Sequence, residues 1–366
     1  MKTVPATIWL LVVLATGTWV ALGSMVLESA RRHDFLNLYT GGRLAMEGRL
    51  ADLHLPDVQL DYERQLVPDV KPVVPFVRPH FYAVLLAPLS LLDYRHAFAL
   101  WLALQTLVLI GCWCWGARNF GSESLVYAAL FLPTALGIAH GQDCVLMLAL
   151  SLAAYTLASG GRWFTAGAVL SLGFAKFHLF LLWPLAMLVA KRWRMLAGLA
   201  AGAAAEGAVS LLLGGWVGVE RYVALLRKKD LERLSPSPEI MLNTQGISAN
   251  LFGESAFATG LLGVVVLALW FVAVRRAPLW RWWTATATAG LLVVPHVYGY
   301  DAGLLLLPIW LAIFSTRDKP TRIAATLVST PIAYLMNLAD KPWCVVAALA
   351  LLGFLAVLAV RDTIDI

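Results

Sequence analysis

The sequence predicts an all-α fold, a polytopic transmembrane helical bundle of about 12 helices, and three observations carry that prediction. The 366-residue chain is 60% hydrophobic and only 14% charged, against about 25% charged in soluble domains, and its mean hydropathy is +0.75. Apolar runs near 20 residues long, such as IWLLVVLATGTWVALGSMVL (8–27) and LFGESAFATGLLGVVVLALWFVAV (251–274), suit roughly 30 Å of bilayer hydrocarbon. Such runs must be helical, because lipid offers backbone N–H and C=O groups no partner outside their own segment; a barrel would show short alternating segments instead.

Taken in order, the expected helices are 8–27, 95–116, 124–139, 144–158, 164–175, 179–190, 195–214, 251–274, 280–296, 302–315, 323–338 and 342–360, in a single integral-membrane domain over 1–366. The first is longer than the 7–15-residue apolar core of a signal peptide and lacks a clear small-residue cleavage site, so it is expected to stay. With a cytoplasmic N-terminus, the short inner connections hold Arg118, Arg162, Lys191, Arg192, Arg194, Arg275, Arg276, Arg281, Arg317, Lys319 and Arg322, and the short outer ones only Lys176 and Lys341. That bias obeys the positive-inside rule. It places two long polar segments, 28–94 and 215–250, outside.

Within the first outer loop, HFYAVLLAPLSLLDY (80–94) is too short to span and contains Pro88, so it is expected to lie at the interface. In a rival threading it spans, which would put HGQD inside. Two helices, 164–175 and 179–190, are too short to cross alone at about 1.5 Å per residue. They are expected to meet at AKFH (175–178) inside the membrane, a break tolerated only where it lines protein or water. In the second loop VERYVALLRKKDLERL reads as a surface-lying helix with a basic face, ended by SPSP.

The net charge of +6 lies mostly in loops and suits anionic lipid surfaces. The basic residues do not interleave with exposed aromatics, which excludes nucleic acid. Cys112, Cys114, Cys144 and Cys344 sit in apolar runs, where packing explains them better than disulfides or metal.

Six polar motifs fall at helix ends facing the outer side: HDFLNLY (33–39), VRPHFY (77–82), HGQD (140–143), AKFH (175–178), LNTQG (242–246) and PHVYGYD (295–301). Ionisable groups in the membrane zone are costly and mark sites, so their convergence predicts a polar cavity open to the outside. Each also has a plainer explanation. Asp34 could be a solvated loop charge. Arg78 could snorkel to head groups. Lys176 and His178 could pair with carbonyls freed at a helix break, and Gln142 with Asp143 could cap a helix. His296 and Asp301 could make structural bonds around a Tyr-Gly-Tyr turn. Arg31, Arg32 and the RKK of 227–229 read as lipid-facing charge. The mixture itself is informative: one acid among cationic and hydrogen-bonding groups suits transfer from a phosphate-linked donor, with cations on the anionic leaving group and a carboxylate taking the acceptor's proton. A proton-relay transporter needs acids along a path through the membrane, and Glu206 is the only acid well inside an expected helix.

In these motifs, and in their order from about residue 30 to 315, the chain resembles glycosyltransferase family 87, polyprenol-phosphate-sugar-dependent enzymes of the GT-C structural class. The segments that carry the likeness are DFLNLYTGGRLAMEGRLADLH, RPHFYAVLLAPLSLLDYRHAFALWL, HGQDCVLMLAL, GFAKFHLFLLWPLAML with KRWR, LNTQGISANLFG and VPHVYGYDAGLLLLP. The resemblance implies a multi-pass inner (plasma) membrane enzyme with its active site outside the cytoplasm and Asp34 as general base. It implies inverting transfer of a mannose- or arabinose-like sugar from a polyprenyl-phosphate donor to a lipid-linked or polysaccharide acceptor, with no metal or other cofactor. Arg78, Lys176, His178 and His296 become candidate donor-phosphate contacts, and Tyr39, His80, Gln142, Asp143, Gln245, Tyr298 and Asp301 candidate sugar or acceptor contacts. Where relatives commonly carry Tyr-Pro-Pro this chain has Arg78-Pro79-His80, and where they often have Lys-Pro it has Lys176-Phe177-His178, departures that could mark a different donor. A lipid or solute transporter and a non-catalytic membrane partner are the alternatives.

Overall fold

The computed structural model describes residues 34–68, 70, 75–227, 237–337 and 343–361. Its regular elements are helices, with no β-strand among the described residues. The expected helix at 8–27 lies outside them. Five helical stretches are long and apolar enough to cross a bilayer: Tyr94–Phe120, Trp163–Phe180, Trp193–Arg227, Ala256–Val274 and Trp343–Val360. The all-helical class therefore stands, while several of the twelve expected spans prove to be divided, each for a local reason.

The chain opens with α1 (Asp34–Met46), α2 (Pro56–Leu66) and α3 (His80–Leu86), then α4 (Tyr94–Phe120), whose N-cap Asp93 accepts from the amides of Arg95 and His96. The expected helix 124–139 is parted at Phe131 (φ −79, ψ 87) into α5 (Ser124–Leu130) and α6 (Leu132–Ala139). Pro133 has no amide hydrogen and its ring clashes with the carbonyl one turn earlier. After α7 (Cys144–Ser159) comes α8 (Trp163–Ser171), a 3-10 stretch Leu172–Phe180 and α9 (Leu182–Val189). The anticipated break at AKFH is present, with Lys176 at φ −120, ψ 59. The next helix, α10 (Trp193–Arg227), runs past the expected end and turns at Gly215 (φ 66, ψ 176), a left-handed conformation that glycine tolerates. The expected 251–274 helix is really the end of α11 (Thr244–Phe252), a left-handed Gly253 stop, and α12 (Ala256–Val274) capped by Ser255. Then follow α13 (Leu279–Val293), a 3-10 stretch Gly299–Leu305, and α14 (Leu306–Phe314). The expected helix 323–338 is divided at Thr330 into α15 (Lys319–Ser329) and α16 (Pro331–Met336), because Pro331 forces its predecessor into extended backbone. The described chain closes with α17 (Val346–Val360).

The core is centred on α13 and α14, which are buried along almost their whole lengths. Trp183, Trp282, Trp283 and Trp310 are among the largest fully buried side chains. Apolar surroundings leave an indole N–H dependent on a protein partner: Trp282 donates to Ala186 O (3.1 Å), Trp283 to Ser151 Oγ (3.0 Å) and Trp310 to Ser124 O (3.0 Å). Two helices, α8 and α10, cross on small residues. A Cβ on Gly198 would run into the Phe164 carbonyl, one on Gly167 into the Met195 carbonyl, and one on Gly202 into Ser171 Oγ. Close backbone approach on small residues is how membrane helices gain packing energy. Gly198→Leu is expected to lower the melting temperature of the purified protein in lipid, by an overpacking cost of about 1–3 kcal/mol; an unchanged melt would mean the helices part freely.

Connectivity puts the polar motifs at one end of the bundle. The chain leaves HGQD on α7 and returns on α8 to AKFH, leaves on α9 and returns on α10, leaves on α12 and returns on α13 to PHVYGYD. The opposite turns carry Arg118, Arg162, Lys191, Arg192, Arg275, Arg276 and Arg317. At that end Arg192 stacks on Trp163 and Trp282 (4.6 and 4.7 Å to the ring centroids). The stretch His80–Leu91 is α3 plus a 3-10 turn, too short to cross at about 1.5 Å per residue. It leaves Leu85 and Leu91 exposed (65% and 72%), as an interfacial segment would.

Beyond Gly215, α10 lies on the first loop. Arg221 Nη1 donates to Asp52 Oδ1 (2.6 Å) and Ala51 O (3.0 Å), while Arg49 Nη2 donates to Asp52 Oδ2 (3.0 Å). The Arg49 hydrogen bond, with Arg221 behind it, holds the Asp52 carboxyl below its usual range. A depressed folded pKa means stabilisation that is present above the ordinary value of about 3.9 and lost as pH falls through the folded value. Selective carboxyl labelling should show Asp52 titrating below about 3.9, and at the ordinary value in Arg49→Ala/Arg221→Ala. A wild-type midpoint at or above 3.9 would contradict this contact.

Candidate active site

Four motifs distant in sequence meet at the polar end. HGQD leads into α7, AKFH interrupts the path from α8 to α9, PHVYGYD precedes α14, and Arg78 stands just before α3. Arg78 grips Asp143 with two parallel bonds, Nε to Oδ2 (2.8 Å) and Nη2 to Oδ1 (2.9 Å), and its Nη2 reaches Gln142 Oε1 (3.3 Å). Lys176 Nζ donates to Asp301 Oδ1 (2.6 Å) and Gln142 Oε1 (3.1 Å), and lies 3.6 Å from Asp143 Oδ1. The second Asp301 oxygen accepts from the Tyr298 amide (2.9 Å). Arg78, Gln142, Asp143, Lys176 and Asp301 are all buried. Two cations and two carboxylates therefore balance in a place where any unpaired one would be expensive.

This arrangement decides several alternatives left open by the sequence. Asp143 does occupy the N-cap position of α7, but its side chain makes no capping bond; its oxygens go to Arg78 and Lys176. Arg78 does not snorkel outward. The ammonium of Lys176 pairs with carboxylates and Gln142, not with carbonyls at the helix break. Cys144, expected to be packing, is buried but polar in its contacts, with Sγ 3.2 Å from Lys176 Nζ and 3.5 Å from Asp301 Oδ1.

Asp34 stands at the edge of this cluster, on the first residue of α1. Its Oδ2 is 3.4 Å from His140 Nδ1, and both side chains are partly accessible (18% and 36%). The His140 ring lies 5.6 Å from Tyr300, whose ring is 5.2 Å from Lys176 Nζ. His296 stacks edge-on to Tyr298 (4.8 Å) and faces His178 (6.2 Å). A partly accessible acid thus adjoins imidazoles and tyrosines beside the charge-balanced ion cluster.

Comparison with known protein families matches residues 76–295 to glycosyltransferase family 87. The chain belongs to that family. No curated protein and no solved structure matches it. As a family 87 chain it is a membrane glycosyltransferase, and the matched stretch contains Arg78, His80, Gln142, Asp143, Lys176, His178 and Gln245. Asp34, Tyr39, His296, Tyr298 and Asp301 lie outside it.

Not every expected site residue of this glycosyltransferase joins the cluster. Tyr39 donates its hydroxyl to Leu92 O (2.7 Å) and packs edge-on to Tyr94, tying α1 to the start of α4. His80 turns toward α10: its ring is 4.6 Å from His54, and a Cβ on Gly218 would lie 2.8 Å from its Nε2. Gln245 is half-buried on α11, beside the segment that carries His296: Asn243 Nδ2 donates to Val294 O (2.7 Å) and Leu242 N to Val297 O (3.2 Å). The residues that sequence reasoning passed over are His54, His140 and Tyr300. Burial pushes the His54 imidazole down to about 3, so it is neutral, and its Nε2 donates to Arg78 O (2.9 Å), fixing the backbone that presents the guanidinium. His140 had a visible signal, a histidine directly before Gly141 in HGQD. The signal for Tyr300 was its place between His296 and Asp301.

Proposed function

We propose that this protein transfers a mannose- or arabinose-like sugar from a polyprenyl-phosphate donor to a lipid-linked or polysaccharide acceptor, with inversion, at the extracytoplasmic face of the inner membrane. The observation that carries the reading is the division of labour among three acids. Asp143 and Asp301 are buried and committed to Arg78 and Lys176, whereas Asp34 keeps an accessible carboxylate at the edge. In this reading Asp34 takes the proton of the acceptor hydroxyl as that oxygen attacks the anomeric carbon. The sugar–phosphate bond breaks, its electron pair leaves on the phosphate, and the leaving group gains negative charge.

That growing charge calls for fixed donors. Lys176 and Arg78 supply it from below, held in place by their carboxylates, and His178 and His296 face it from the rim. Gln142, Tyr298 and Gln245 are the proposed sugar and acceptor contacts; for Tyr39 and His80 the packing described above favours a supporting role. The test is transfer of labelled sugar by the purified protein in lipid, offered a panel of polyprenyl-phosphate sugars with cell-envelope lipid extract as acceptor. One donor should be consumed with product formation. Movement of a lipid or sugar across the bilayer without covalent change would overturn the proposal in favour of a transporter.

A further inference from the structure

The turn that builds the buried ion cluster also touches the accessible acid, through a residue that none of the roles above uses. His140 ends α6, and Gly141 then adopts φ 68. A Cβ there would lie 2.8 Å from Phe35 Cβ and 3.0 Å from Phe98 Cε2, so only glycine allows the turn to press against the start of α1. Two residues of α4 lock it there. Trp101 Nε1 donates to Gly141 O (2.8 Å), and Gln105 Nε2 to Gln142 O. In four consecutive residues the chain thus sets His140 beside Asp34, Gly141 against Phe35, and Gln142 and Asp143 on Arg78 and Lys176.

We propose that His140 is the positioning residue of Asp34: its Nδ1, which stands 3.4 Å from Oδ2, donates to that oxygen in the substrate complex and fixes the carboxylate so that Oδ1 faces the acceptor hydroxyl. This rests on the reading of Asp34 as the base. In the transfer step the acceptor proton passes to Asp34, the new glycosidic bond forms, and the bond between anomeric carbon and phosphate oxygen breaks with its electron pair on the phosphate. His140 keeps its proton throughout. At 3.4 Å the two atoms are close without forming a short hydrogen bond, as contacts of catalytic groups often are before substrate is bound. The other titratable groups in electrostatic reach of Asp34 are Tyr94 on α4, and His296 and Tyr300 on the segment before α14.

Two substitutions at this position separate orientation from packing. Asparagine can place its amide N–H where Nδ1 was, and leucine fills the space without a donor. His140→Leu should lower kcat about 10- to 100-fold, the factor for one hydrogen bond to a charged group, with the donor KM unchanged. His140→Asn should recover most of kcat. If the leucine variant keeps wild-type kcat, or loses donor binding in place of turnover, or if asparagine does no better than leucine, His140 does not position Asp34. The Asp34→Asn variant run alongside separates the two claims: a silent Asp34→Asn with an unaffected His140→Leu sinks this inference alone, whereas an active Asp34→Asn sinks the base and this inference with it.

Discussion

Asp143→Ala is expected to destabilise the protein by about 3–5 kcal/mol, the cost of stripping one partner from a buried ion pair. The size follows from what is left behind. Arg78 is 5% exposed, and both of its short bonds run to Asp143. Without that carboxylate it retains Gln142 Oε1 at 3.3 Å, a neutral acceptor for a full charge in a dry place. Lys176 suffers less, since Asp301 remains at 2.6 Å. Removing both members of the pair, Asp143→Ala with Arg78→Met, should therefore cost less than the two single losses added together, because no orphaned charge remains. Thermal unfolding in lipid would measure it. If the single variant melts like the wild type, or if the losses simply add, the two groups are not a buried pair.

The same cluster shows what a sequence can and cannot reveal. That Arg78, Asp143, Lys176 and Asp301 belong to one end of one bundle was legible in the favoured threading, because apolar run lengths and the asymmetry of Arg and Lys between short loops favour one side for these motifs, whereas the rival threading put HGQD on the other. Their pairing was not legible. Arg78 and Asp143 stand 65 positions apart, and Lys176 and Asp301 125, and nothing in composition or spacing says which cation takes which acid. Cations read alone suggested bare phosphate contacts, whereas each already carries a carboxylate. The divided helices teach a related lesson. Phe131 and Thr330 interrupt runs whose hydropathy is unbroken, and the proline beside each was the visible cause, outweighed in the reading by length. The break at Lys176, by contrast, was found because a run too short to span invites a search for polar residues where it stops. Asp34 emerged as a base candidate from its motif, while the pairing of His140 with it became visible only once folding had brought residue 140 back to residue 34.

Asp34→Asn is the substitution expected to have the largest effect on activity, a fall in transfer of about 10²–10⁴-fold, the usual contribution of a positioned general base. The fold should survive it. Asp34 is partly accessible and is not among the buried polar residues, and a carboxamide has nearly the same shape. Its neighbours lose little: His140 can face an amide oxygen as it faced a carboxylate, so the donor should still bind and its KM should stay near that of the wild type. What disappears is the capacity to accept a proton, which an amide lacks at any working pH. The loss should therefore fall on kcat, as expected of an interaction made only as the reaction proceeds. Asp34→Glu should retain part of the activity, because the base survives but its oxygens are displaced by one methylene, and misplacement of a reacting group by about 1 Å can itself cost 10²-fold. Initial rates of labelled-sugar transfer for the three proteins, with donor binding measured separately, resolve the matter. Near-normal kcat in Asp34→Asn would send the search for the base to another group that faces the acceptor, and a loss of donor binding in place of turnover would make Asp34 a ligand contact.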